Sequence, residues 1–372
     1  MHLLIVTPLY PPATGGAATY FSMLVPELLQ RAEIDRVTVV TERVAGEPKE
    51  QRDGKLQVLR LLPTRVAVPR ASWLGHASSY VATQWWFGAR FPHLVHRLGV
   101  DVIHFHTRYR GSAVYGALRR SRVPVIANLQ DKLMDPRRVA RVSHWLLCCA
   151  EGVHRFLLAA GCPAERSVLV PLPFASPPVP SDHEVQLARH RYDLERTPYF
   201  LFLGDITKRK GVYELLDGYR QWRCEVEDPP ALVFAGNNWE GERFRAAIRQ
   251  TPGGLYLGRV PHDEALALMR GAEVIVLPSR SEALPYVILE ALALGKSILC
   301  PPGIPEFDAH LSTSVLPEIT SAAIAAALRT ARARVEAPSY PMARHAPHHI
   351  AAKLLELYTR AVDGGVDDRW QA

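Results

Sequence analysis

The chain has 372 residues, a formal net charge of +7, 48% hydrophobic residues and 22% charged ones. That length suits two globular domains better than one core, and the composition excludes a disordered or fibrous chain. No apolar run reaches the roughly 18 residues of a membrane span, and MHLLIVTPLYPP turns into a Pro-rich loop too soon for a signal peptide, so a cytoplasmic location is expected.

In chain order, short β-branched runs alternate with helix-length segments: Leu3 to Leu9, Val37 to Thr41, Leu56 to Leu62, Asp101 to Thr107, Val123 to Leu129 and Ser167 to Pro173. Continuous apolar runs of this kind predict a parallel sheet buried on both faces, hence a doubly wound α/β lobe. PLPFASPPVPSD, Pro171 to Asp182, then packs five prolines into twelve residues, a stiff connector that marks a domain boundary. The pattern restarts with Tyr199 to Asp205, Ala231 to Gly236, Leu255 to Val260, Val274 to Ser279 and Ser297 to Pro302. Two similar α/β lobes are predicted, with ligands at the carboxyl ends of the strands and the chemistry in the cleft between lobes. Five cysteines, Cys148, Cys149, Cys162, Cys224 and Cys300, are an odd number without a C-x-x-C pair or a nearby His pattern. They are expected as buried free thiols, with no disulfide framework and no metal site.

Two segments carry candidate chemistry. In SEALPYVILEALALGK the strand is expected to end at Ser279, Pro285 to take the first helical position and Gly295 to stop the helix. Free amides of the loop and first turn, with the helix dipole, suit an anion such as a diphosphate. Glu290, five residues into that helix, lies about 7 Å along its axis, within reach of a ribose diol, while Glu282 precedes the helix and can meet a transferred sugar. The alternative reading makes one carboxylate a dipole partner and the other a solvated helix residue. In FLGDITKRKGVYELL a strand ends at Gly204, and Lys208, Arg209 and Lys210 follow before a helix that starts after Gly211. Three successive cations repel one another unless a multivalent anion or solvent intervenes; a solvated basic turn is the plainer reading. In TPLYPPATGGAATYFSMLVPELL a strand leads into a Pro- and Gly-rich loop and a helix, and Gly15 and Gly16 allow close backbone approach to a ligand. The segment lacks the G-x-G-x-x-G of dinucleotide enzymes.

Together these residues resemble the retaining GT-B glycosyltransferases of family 4. The likeness runs through the P-x-x-G-G type loop at Pro12 to Gly16, DVIHFH (Asp101 to His106), VPVIANLQD (Val123 to Asp131), the Ala150 to Pro171 segment, LGDITKRKG (Leu203 to Gly211), the E-x7-E region within Leu255 to Leu299, and GIPEF (Gly303 to Phe307). It implies an α/β chain of two Rossmann-like lobes with an inter-lobe cleft. Residues 1–175 would form the acceptor-side domain, 176–345 the donor-binding domain, and 346–372 a C-terminal helix packing back on the first domain; HIAAKLLELYTRAV has the amphipathic spacing for it. By the same likeness Lys210 would hold the donor diphosphate with Gly204 and Arg209 beside it, and Glu282 would contact the donor sugar. Loop groups of Ala283, Leu284 and Pro285 would meet a phosphate, Glu290 the ribose, Arg259 and Val260 the base, and Gly15 and Gly16 would flank the phosphates. Lys210, Glu282 and Gln130 would be the catalytic set.

Asp205 stands where the family usually places arginine, Gln130 where it usually places histidine, and Ala150 where it usually places serine. An amide hydrogen-bonds a sugar hydroxyl but holds no positive charge. The resemblance implies sugar transfer from a nucleotide-diphosphate sugar to an acceptor hydroxyl with retention, without a metal or other cofactor, in glycolipid, polysaccharide or other glycoconjugate biosynthesis. A nucleotide-sugar epimerase and a binding protein with impaired catalysis are the alternatives. From Gly54 to Val100 there is no Asp or Glu, while Arg60, Arg65, Arg70, Arg90 and Arg97 accompany Trp73, Tyr80, Trp85, Trp86 and Phe91, and nine Lys or Arg from Arg108 to Arg141 face only Asp131 and Asp135. Such segments suit an anionic membrane surface and a sugar, lipid-linked or small-molecule acceptor; packed tryptophans with solvated arginines are the other reading. No RNP-like or zinc-finger signature supports nucleic-acid binding.

Overall fold

A computed structural model describes residues 1–63, 73–132, 135–332 and 339–364, and their side chains except at 73–78 and 332. Arg65, Arg70 and the Trp73 side chain therefore lie outside the described set. The chain divides into two compact units, Met1–Ala175 with Ala343–Ala372, and Ser176–Met342.

The first unit is built on eight strands, β1 (His2–Val6), β2 (Arg36–Glu42), β3 (Glu50–Asp53), β4 (Leu56–Leu62), β5 (Val102–His106), β6 (Val125–Leu129), β7 (Trp145–Cys148) and β8 (Ser167–Leu169). Their order in the sheet is β3-β4-β2-β1-β5-β6-β7-β8. β1, β5 and β6 are buried along their whole length, as a sheet covered on both faces requires. All pairings are parallel except that of β3, an exposed EQRD strand running antiparallel along β4. This corrects the wholly parallel expectation: β3 has no apolar residue to betray it, and the edge of β4 supplies its pairing. β7 was also not foreseen.

Helices α1 (Gly16–Leu29), α2 (Trp73–Leu98), α3 (Ser112–Ser121), α4 (Pro136–Ala140) and α5 (Glu151–Ala159) connect these strands. α2 divides its aromatic residues between two environments. Trp86, Phe87 and Phe91 are in the core, while Tyr80, Val81 and Trp85 are exposed, with the Arg90 guanidinium 5.1 Å from the Trp85 ring centre. Arg60 is not a surface cation either. It is 2% exposed and donates to the carbonyls of Pro11 and Pro48, fastening the Pro-rich loop that follows β1.

The second unit has five strands, β9 (Tyr199–Leu203), β10 (Ala231–Ala235), β11 (Gly254–Tyr256), β12 (Val274–Val276) and β13 (Ser297–Leu299), ordered β11-β10-β9-β12-β13 and all parallel. Its helices are α6 (Asp182–Arg191), α7 (Val212–Arg223), α8 (Glu242–Arg249), α9 (His262–Gly271), α10 (Tyr286–Ala293), α11 (Pro305–His310) and α12 (Ser321–Arg332). Ser181 and Glu184 form a reciprocal capping box that starts α6 directly after the Pro-rich connector. α13 (Pro347–Asp363) packs against α1 and β5 of the first unit, where the Tyr358 hydroxyl meets His104 Nδ1 at 2.6 Å.

In each sheet the winding reverses once, between β1 and β5 in the first and between β9 and β12 in the second. Loops leaving adjacent strands at such a point diverge to opposite faces and leave a crevice at the carboxyl ends. The loops after β9 and β12 are the two segments singled out in the sequence.

Candidate functional site

The basic loop after β9 is built by backbone constraints. Lys208–Lys210 form one 3-10 turn, and Gly211 ends it in the left-handed region at φ 70°. A Cβ on Gly211 would lie 2.0 Å from the Pro278 carbonyl oxygen, so only glycine lets this turn pack on the loop after β12. The Arg280 amide donates to the Arg209 carbonyl at 2.9 Å and closes the contact. On the other side Glu240, 6% exposed, accepts from the Lys208 amide at 2.9 Å and from the Tyr213 hydroxyl at 3.3 Å. Sequence reasoning missed Glu240; an acidic residue in the polar loop after β10 was its only signal.

The second loop differs in detail from expectation. β12 ends at Val276 rather than Ser279, and Pro285 precedes α10 in an extended conformation instead of occupying its first position. Pro285 has no N–H to offer a phosphate, so backbone donors here belong to its neighbours Ala283 and Leu284 and to the first turn of α10. No side chain caps that end of α10.

Folding brings Glu282, Lys210 and Arg209 together. Lys210 Nζ donates to Glu282 Oε1 at 2.5 Å, and Arg209 Nη1 donates to the Ser281 carbonyl at 2.5 Å and lies 3.5 Å from Glu282 Oε1. The Lys210 and Glu282 side chains are 14% and 13% exposed. For Lys210 and Arg209 the expected repulsion is thus relieved by a carboxylate of the chain itself. Gly204 closes β9, with open space where a Cβ would point. Asp205 is engaged by the Asn237 amide at 3.1 Å, which orients the loop after β10.

Glu290 sits apart from that cluster on α10. Burial raises its carboxyl above the ordinary value, and His262, whose Nε2 is 3.7 Å from Glu290 Oε1, opposes that shift. His262 opens α9 with Pro261 between it and Val260. His262 was not foreseen. Arg259 is exposed and Val260 half-buried.

The first unit contributes its own set. Gly15 precedes α1 at φ 137°, and Gly16 opens the helix with nothing within 4 Å of a Cβ position. Gln130 follows β6, and His106, also unforeseen, ends β5. His106 Nδ1 accepts from the Arg108 amide at 3.1 Å, which places the ring proton on Nε2. Burial lowers this imidazole to about 4, against smaller upward pulls from Asp131 and from a hydrogen bond with the Gln130 side chain. Gln130 Nε2 is buried and has no hydrogen-bond partner among the described residues.

Among the described residues no group of three or more His, Cys, Asp or Glu is arranged to hold a metal ion. Cys148, Cys149, Cys162 and Cys300 are buried thiols, as expected, but Cys224 is exposed.

Residues 14–174 match the family described as Glycosyltransferase Family 4, and residues 187–331 the family described as Glycosyl transferases group 1. The chain is 31% identical over 143 residues to the O-antigen chain mannosyltransferase B of Escherichia coli, covering 37% of this chain and 38% of that one. It is 30% identical over 100 residues to Bacillus subtilis (strain 168) TuaC, named for teichuronic acid biosynthesis, so it aligns with only 23% of that relative. With the 2-deoxystreptamine glucosyltransferase of Streptomyces kanamyceticus it shares 26% identity over 71% of this chain and 75% of that one. The fold matches sucrose-phosphate synthase from Thermosynechococcus elongatus with a TM-score of 0.75 at 16% identity, over 98% of this chain and all of that one. It matches Anabaena HepE, solved with UDP and glucose, with a TM-score of 0.67 at 16% identity, over 96% and 99% of the two chains.

Proposed function

Because the chain belongs to the GT-B glycosyltransferases of family 4 type, we propose that it transfers a sugar from a nucleoside-diphosphate sugar to an acceptor hydroxyl with retention at the anomeric carbon. The observation that carries this reading is the clustering of Lys210, Arg209 and Glu282 on the two loops of the β9/β12 crevice, with buried Glu290 further along α10. A donor diphosphate competes with Glu282 for Lys210. Its arrival frees the carboxylate to accept from a hydroxyl of the transferred sugar, while Glu290 accepts from the ribose beside Arg259 and Val260. Gly204 leaves room at the end of β9, and in the first unit Gly15 and Gly16 leave the start of α1 open to a phosphate.

The chemistry breaks the bond between the anomeric carbon and the diphosphate oxygen and forms one to the acceptor oxygen; the acceptor proton leaves on the departing phosphate. Lys210, Arg209 and the amides of Ala283 and Leu284 stabilise the charge that develops there, so the site supplies its own cations and needs no metal or other cofactor. Gln130 directs its unpartnered Nε2 to a sugar hydroxyl, its amide oriented by His106.

The acceptor side lies in the first unit. α2 and α3 contain no Asp or Glu, and α2 exposes Tyr80, Val81, Trp85 and Arg90, a face suited to anionic headgroups and therefore to a lipid-linked or membrane-proximal acceptor. No helix among the described residues is long and apolar enough to cross a membrane, so attachment would be peripheral, on the cytoplasmic side. The names of two relatives, a teichuronic acid biosynthesis glycosyltransferase and an O-antigen chain mannosyltransferase, support a role in glycoconjugate assembly. Thermal-shift screening against UDP-, GDP-, ADP- and dTDP-sugars tests the donor assignment: one nucleotide sugar should stabilise the protein, and the Lys210→Ala variant should lose that response. A product of inverted configuration by NMR would refute retention.

A further inference from the structure

A cavity of about 250 Å³ opens in the first unit between α4, the end of α5 and the short 3-10 turn Ala164–Arg166. Arg137, Arg141 and Arg166 line it with Ala140, Gly161, Cys162 and Pro163, and no carboxylate is among the lining residues. The cavity is remote from the chemistry proposed above. α4 leads into the amino end of β7, and the Gly161–Arg166 segment into the amino end of β8, whereas Gly15, Gly16, His106 and Gln130 stand at carboxyl ends of the same sheet. Parallel strands put these two rims on opposite edges.

The guanidinia are oriented by the backbone. Arg137 Nε donates to the Ala160 carbonyl at 2.8 Å, and Arg166 Nη1 donates to the Ser143 carbonyl at 3.2 Å. Each of these arginines spends one donor on a carbonyl at a chain turn and keeps the others of its planar fork. Arg141 makes no hydrogen bond or ion pair through its side chain among the described residues. Asp135, whose charge reaches the Cys162 thiol in the cavity wall, is paired with Arg138 at 3.1 Å, and neither Asp135 nor Glu165 lines the cavity. Three arginines line one concavity with no carboxylate among the lining residues, two of them braced by backbone carbonyls, and this set matches an anion with several acceptor oxygens.

We propose that this cavity is a second binding site, specific for a phosphoryl group and separate from the donor site. The same chemistry is offered by a free phosphate ion and by a phosphomonoester headgroup at a bilayer surface. The proposal does not depend on the transferase reading, since no residue of the donor cluster takes part.

The test uses the full-length protein and two variants. Arg141→Gln removes a guanidinium with no structural partner, and Arg137→Gln/Arg166→Gln removes the two braced ones. Inorganic phosphate is titrated by calorimetry, and binding to vesicles of phosphatidylcholine with and without phosphatidic acid is measured by sedimentation. Loss of one phosphate equivalent in the double variant, with at least a threefold weaker affinity in Arg141→Gln, supports a free-ion site. Sedimentation that depends on phosphatidic acid in the wild type and falls at least threefold in Arg141→Gln, with no phosphate isotherm, supports the same site as a headgroup site. Should Arg141→Gln match the wild type with both probes, the proposal is overturned, whatever the double variant does to folding. The donor-dependent thermal shift serves as a control that stays unchanged in Arg141→Gln.

Discussion

Replacing Lys210 with alanine separates two roles that the Lys210 and Glu282 pair combines. Both side chains are nearly buried, 14% and 13% exposed, and meet at 2.5 Å. Removing the ammonium leaves the Glu282 carboxylate with Arg209 Nη1 at 3.5 Å as its remaining cation. Breaking a buried pair costs about 3–5 kcal/mol; the remaining Arg209 and slight exposure put this case at the lower end, about 3 kcal/mol. For a unit of this size that corresponds to a fall of roughly 6–12 °C in Tm. Turnover falls by about 10²–10³, the effect of losing one group that stabilises developing charge. Lys210→Ala/Glu282→Gln then distinguishes the roles: without either charge, Tm should recover most of the loss while turnover stays low. Differential scanning calorimetry and a donor-dependent product assay read the two quantities on the same preparations. Lys210→Ala with turnover within threefold of wild type, or a double variant that regains activity, would refute the reasoning.

What was legible in the sequence follows from how each feature is encoded. The inner strands of the second sheet, β10, β9 and β12, are short apolar runs, and burial on both faces writes that pattern directly into composition; β11 at the edge leaves Leu255 exposed. β3 escaped because an exposed edge strand of Glu, Gln, Arg and Asp has no apolar residue; it is held by backbone pairing with β4 and by hydrogen bonds from Gln57 to Glu50 and from Arg60 to Gln51. The E-x7-E segment and the Lys-Arg-Lys turn were readable as candidates because charge beside an apolar strand is conspicuous. Their mutual contact was not, since it depends on β9 and β12 being neighbours, a long-range fact of strand order. The same limit hid His262 and Glu240, whose partners are 28 and 32 residues away in sequence. Arg60 shows the opposite failure: counted with surface cations, it is buried because the carbonyls of Pro11 and Pro48 replace its water.

Gly211→Ala forces a side chain into the left-handed region and against the Pro278 carbonyl, so it should cost more than about 1–2 kcal/mol and displace Lys210; urea unfolding and donor binding should worsen together. Donor affinity should fall as pH drops through the raised Glu290 pKa, because only the carboxylate accepts two ribose hydrogen bonds, and Glu290→Gln should flatten that profile in calorimetric titrations; an unchanged profile would remove the ribose role. Acid should also weaken the first unit through three buried imidazoles: His104 is lowered to about 3, and His106 and His345 to about 4, each chiefly by burial. Because these folded pKa values lie below the unfolded value of 6.5, the unfolded chain binds more protons, and stability present above pH 6.5 is lost progressively toward pH 3–4. At pH 5 each histidine has lost about 2 kcal/mol, from about 1.4 kcal/mol per pH unit below 6.5, so together they remove about 6 kcal/mol. Replacing His345, which meets the Leu172 carbonyl through Nδ1 at 2.9 Å, with glutamine should keep that hydrogen bond and remove one third of the acid sensitivity in urea titrations at pH 7 and pH 5; an unchanged difference between the two pH values would refute the assignment.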